Sequence, residues 1–109
     1  MEKIEKMKQK FPVGSIIKHK CCNLMYEIID YEYKKGYKNY YGYLLEEFVV
    51  LKTLYFPKEK IGQLNTFDMY MLREFNLSNI NYLNKLLKER KEKELKESKI
   101  EKYEQLTLF

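Results

Sequence analysis

The chain is short of the residues that most often carry chemistry, with one histidine, two cysteines and four glycines among its 109 residues. A lone His19 offers no Ser/His/Asp spacing worth naming, and the glycines form no phosphate-cradling loop. Neither an enzyme nor a bound cofactor is expected. Cys21 and Cys22 are adjacent, and vicinal cysteines close into a disulfide only with strain, so reduced thiols are expected. His19 with the two cysteines makes a poor metal site, because a strand turns His19 and Cys21 to one face and Cys22 to the other, and a fourth ligand is missing. The expectation is a partly buried thiol pair with no metal.

Long apolar runs are missing too. Tyr43-Leu44-Leu45 and Phe48-Val49-Val50-Leu51 are separated by Glu46 and Glu47, so no segment is suited to span a membrane. The start, Met-Glu-Lys-Ile-Glu-Lys, lacks the apolar core of a signal peptide, and a cytoplasmic protein without a membrane partner follows as an expectation. A hydrophobic content of 45% over 109 residues suits one small domain plus an appendage, since two domains would each be too small. The net charge of +5 and pI near 9.0 permit DNA, RNA or another acidic surface as partner without requiring one.

What is present is organised by period. Ile4, Met7 and Phe11 lie on one face of a short helix over 1–11 that Pro12 ends. From Val13 the pattern changes, and Ser15–Lys20 and Met25–Tyr33 read as strands, the second followed by a Lys34-Lys35-Gly36 turn. Tyr37–Phe56 is too long for one strand and is expected to make two, with the turn at either Glu46-Glu47 or Lys52-Thr53. Ile61–Leu77 fits both a helical face and an alternating strand; a loop followed by a strand is favoured. Several short strands separated by turns over residues 12–77 resemble small SH3-like β-barrels, which implies an α+β protein with a compact twisted sheet curling on itself. Such a fold implies no function.

Ser78 is the expected N-cap of a second helix whose apolar stripe is Ile80, Leu83 and Leu87. Lys88–Glu94 then has no apolar residue, and 78–104 reads as a helical arm leaving the domain. Residues 88 to 104 of such an arm would reach about 25 Å. Folding back on the domain or pairing with a second copy are the alternatives.

The arm leads to Gln105-Leu106-Thr107-Leu108-Phe109. Three apolar groups and one amide that both donates and accepts suit an apolar pocket with a polar rim. This order resembles the motif with which bacterial replication and repair proteins, and phage proteins that imitate them, bind the DNA sliding clamp. The resemblance covers these five residues only, and Thr107 stands where that family more often has Ser or Asp. It implies that Gln105, Leu106, Leu108 and Phe109 dock on the clamp of a bacterial host, as expected of a small phage or mobile-element protein that recruits a factor or blocks replication. Packing of 105–109 on its own domain is the bland alternative. A degenerate copy, Gln63-Leu64-Asn65-Thr66-Phe67, lacks the second leucine and reads as structure.

A second pattern pairs tyrosine with lysine. Tyr31, Tyr33, Tyr37, Tyr40, Tyr41 and Tyr43 alternate with Lys34, Lys35 and Lys38, the combination of ring faces and cations that binds single-stranded nucleic acid, and Tyr31, Tyr33, Lys34, Lys35, Tyr37 and Lys38 are the residues expected to form that face. The competing reading is that tyrosine is a good strand former whose ring packs while its hydroxyl stays wet. Two further functions are thus kept beside clamp docking. One is a single-stranded nucleic-acid-binding barrel; the other is an inhibitor of a host defence nuclease, of the anti-CRISPR kind, which no motif addresses.

Overall fold

Helix α1 (Glu2–Lys10) is followed by five strands, β1 (Ile16–His19), β2 (Met25–Tyr33), β3 (Glu47–Thr53), β4 (Leu64–Asp68) and β5 (Phe75–Ser78), and then by helix α2 (Ile80–Thr107). This computed structural model describes the backbone of residues 2–107 and the side chains of residues 3–95. The strands form one sheet in the order β4-β3-β2-β1-β5, and every neighbouring pair is antiparallel. The fold is a small α+β domain. Among the described residues no ladder joins β4 to β5, so the sheet is open rather than closed on itself.

Adjacent residues of a strand point to opposite faces, and here both faces are apolar. Ile17 and Ile28 join Val49, Leu51, Leu72 and Phe75 in the larger core, which is covered by Ile4 of α1 and by Phe11 just past its end. Ile16 and Met25 point the other way, into a smaller cluster closed by Leu83 and Leu86 of α2. The sheet is thereby held between the two helices. Burying each of these large apolar side chains contributes roughly 1.5–3 kcal/mol.

A β-bulge changes the parity of β2. Ile28 pairs with Leu51 while Asp30 pairs with Val50, leaving Ile29 as the extra residue. Beyond it Tyr31 lies on the side of Ile28 and enters the larger core. Simple alternation would have set Tyr31 with Ile29 on the opposite face.

Three stretches differ from their sequence expectations. Tyr37–Phe56 makes one strand, β3, because residues 34–46 extend the β2–β3 hairpin as a loop instead of pairing along their length. Ile61–Leu77 makes two strands, β4 and β5, joined by a 3-10 turn over Met69–Glu74. With three residues per turn, Met69 and Leu72 fall on one side, and both are fully buried. Asp68 starts this turn by accepting the Tyr70 N–H at 3.0 Å. The degenerate segment Gln63–Phe67 lies in and beside β4, where Asn65, Thr66 and Phe67 pair with Leu51, Val50 and Val49.

The cap of α2 is also displaced by one residue. Asn79 accepts the Tyr82 N–H through its side chain at 2.9 Å and the Leu83 N–H through its carbonyl, while Ser78 ends β5 opposite Ile16. The buried stripe is accordingly Leu83 and Leu86, with Ile80 exposed. Instead of leaving the domain at Lys88, the helix keeps touching the β3–β4 connection. The Arg90 guanidinium lies 3.7 Å over the Tyr55 ring, and Glu94 pairs with Lys58. The Lys58 ammonium holds the Glu94 carboxyl below its usual range, chiefly through their hydrogen bond.

Candidate functional site

The β2–β3 hairpin continues past its last ladder pair, Tyr33 with Glu47, into a loop with defined hydrogen bonds. Lys34 N–H donates to the Glu46 carbonyl at 2.8 Å and Leu45 N–H to the Tyr37 carbonyl at 2.9 Å, and Lys38 bridges Leu44. At the tip, Asn39 organises the reversal. Its N–H donates to the Tyr43 carbonyl, its carbonyl accepts from Gly42, and its side-chain oxygen accepts from both Tyr41 and Tyr43 N–H at 3.0 Å. Gly42, at φ 83°, takes the left-handed conformation that side chains disfavour. An Asn and a Gly in these places are the ordinary chemistry of a turn.

This frame turns rings outward. Tyr40 is 96% exposed, Tyr41 79% and Tyr43 70%. The Tyr40 and Tyr41 rings meet edge to face, 5.4 Å apart and 88° between planes. From Lys34 to Leu45 the chain has no Asp or Glu. The flanking carboxylates are engaged at the base of the hairpin. Glu32 lies 3.8 Å from Lys34, and Glu46 accepts the Gly36 N–H at 2.7 Å.

The six residues expected to form a tyrosine and lysine face separate into three groups. Tyr31 is 7% exposed and donates its hydroxyl to the Phe11 carbonyl at 2.7 Å. Burial pushes its phenol up to about 12. Its ring belongs to the core and is closed to a ligand. Lys34 sits at the hairpin base, its ammonium 5.0 Å over Phe48 and 5.7 Å over Tyr37, and the Tyr37 ring stands edge-on to Phe48. Tyr33, which is near Glu46, has its phenol raised, first by partial burial and then by that carboxylate. Lys35 and Lys38 are exposed. The most open rings, Tyr40, Tyr41 and Tyr43, belong to the tyrosine set of the sequence but not to the six residues expected to form the face. Asn39 and Gly42 flanking a tyrosine pair were the signal for them, outweighed by the strand preference of tyrosine.

His19, Cys21 and Cys22 do not converge. The His19 Nδ1 accepts the Cys21 N–H at 3.0 Å, and its ring stands edge-on to Phe75. Both thiols are free and exposed rather than partly buried, because the β1–β2 connection lies on the surface. Cys22 lines a shallow apolar groove of about 300 Å3 with Leu24, Tyr55 and Phe56. Among the described residues no group of His, Cys, Asp and Glu is placed to hold a metal ion, and no helix is long and apolar enough to cross a membrane.

Of the clamp-like segment, Gln105, Leu106 and Thr107 fall within the span of α2, with side chains outside the described residues. Leu108 and Phe109 lie outside the described residues altogether. No family model, curated protein or solved structure matches the chain.

Proposed function

We propose that this chain is a small adaptor that docks on the bacterial DNA sliding clamp through Gln105, Leu106, Leu108 and Phe109. The observation that carries the reading is the order of those residues: one amide followed by two leucines and a phenylalanine, with a small polar residue between the leucines. Its placement on the chain supports it. The last described contact between α2 and the rest of the domain is Glu94 with Lys58 of the β3–β4 connection, and Gln105 lies eleven positions further on, about 16 Å along the helix. An extended docked form requires the last helical turn to unwind, which costs little at a helix end. The related Gln63–Phe67 segment is committed to the sheet through β4, so Leu64 and Phe67 cannot supply the same extended peptide.

The domain that would be carried to the clamp is best read as SH3-like. Four strands form a meander, a 3-10 turn follows β4, and β5 returns beside β1. The function belongs to a cytoplasmic phage or mobile-element protein that competes with host replication factors for the clamp pocket. The test is binding of the full chain to purified clamp by calorimetry. Leu106→Ala and Phe109→Ala should each weaken binding by roughly 10- to 150-fold, the equivalent of burying one such side chain, and removal of 105–109 should abolish it. Undiminished binding by the shortened chain would exclude this mode of docking.

A further inference from the structure

We propose that the tip of the β2–β3 hairpin binds single-stranded nucleic acid, with Tyr40 and Tyr43 stacking on bases and Lys35 and Lys38 meeting phosphates. This surface is separate from the clamp-like segment and does not depend on it. Three observations carry it together. The rings of Tyr40, Tyr41 and Tyr43 are 70–96% exposed, so no part of the domain uses them for packing. The turn that presents them is held through Asn39 by main-chain and side-chain hydrogen bonds, so the backbone that carries the rings loses little freedom on binding. Lys35 and Lys38 on the same loop are exposed, and no acidic residue falls between Lys34 and Leu45.

That charge pattern selects the partner. Aromatic faces alone would suit a protein surface equally well, whereas faces set among cations with carboxylates withdrawn suit a polyanion whose subunits have flat faces. A duplex hides base faces in its stack, and a single strand offers them. The perpendicular pair of Tyr40 and Tyr41 prevents both rings from joining one continuous stack. Tyr40, the more exposed, receives the base while Tyr41 braces its edge.

The experiment is fluorescence anisotropy of a labelled oligothymidine titrated with the full chain at low and moderate salt. Tyr40→Ala and Tyr43→Ala should each weaken binding by roughly 5- to 100-fold, Tyr40→Phe should retain it, and Tyr41→Ala should have the smaller effect. Lys35→Gln and Lys38→Gln should each lower the salt slope by about 0.7. Removing 105–109 should change nothing, which separates this surface from clamp docking. The tip lies outside both core clusters, so thermal melts of the variants should match the parent. No binding at low salt would overturn the proposal, as would equal affinity for duplex, or binding indifferent to the tyrosines and traceable to lysines elsewhere.

Discussion

Tyr31 and Tyr40 are the same side chain nine positions apart, and the molecule uses them in opposite ways. Tyr31 is sealed beneath α1 with its hydroxyl satisfied by the Phe11 carbonyl, whereas Tyr40 is almost wholly in water. The sheet and the tip of its hairpin are thus built on different principles. In the sheet, each strand residue on a covered face is paid for by apolar burial; at the tip, hydrogen bonds through Asn39 hold a shape from which rings project. A residue type rich in strand preference indicates neither outcome until its neighbours are known.

The contrast can be broken from the core side first. Leu72→Ala removes a fully buried side chain and should cost about 2–5 kcal/mol in urea unfolding. A loss below 1 kcal/mol, on the order of a surface change, would show that the 3-10 turn is not part of the cooperative core. Tyr31→Phe should cost less, about 1–3 kcal/mol, because the Phe11 carbonyl loses its donor. It also has a pH signature. With its phenol raised to about 12 in the folded chain against about 10 unfolded, the folded state keeps the proton longer. That contribution is complete below about pH 10 and is lost as pH rises toward 12. Alkaline unfolding should therefore be shallower in Tyr31→Phe, and identical alkaline limbs would disprove the linkage. Smallest of all, Tyr40→Ala should move stability by no more than about 0.5 kcal/mol; a larger loss would mean that the tip is structural.

Much of the scaffold was legible in the chain. The Ile4, Met7 and Phe11 spacing marks α1, and the run from Met25 to Tyr33 marks β2 at both ends, because each follows the period of one element. The stretches that were not legible mix periods or depend on a partner. Between Ile61 and Leu77 a strand, a 3-10 turn and another strand superimpose spacings of two and three, which no single template resolves. The bulge at Ile29 leaves no mark of its own, yet it decides that Tyr31 is core. Asn79 and Ser78 are both competent caps, and the pairing of Ser78 with Ile16 leaves the role to Asn79. For the candidate site, the alternation of tyrosine and lysine marks the right part of the chain, but that Tyr40, Tyr41 and Tyr43 are its most open rings depends on the loop.

Local physics was therefore enough to determine the two helices, the second strand, the surplus of positive charge and the poor supply of catalytic groups, since each depends on residues close in sequence. Only the folded arrangement decided which tyrosines are core and which are surface, how β5 comes back to β1, and that α2 stays against the β3–β4 connection as far as Glu94. Those outcomes depend on burial against residues distant along the chain, and burial is a property that no single stretch of sequence possesses by itself.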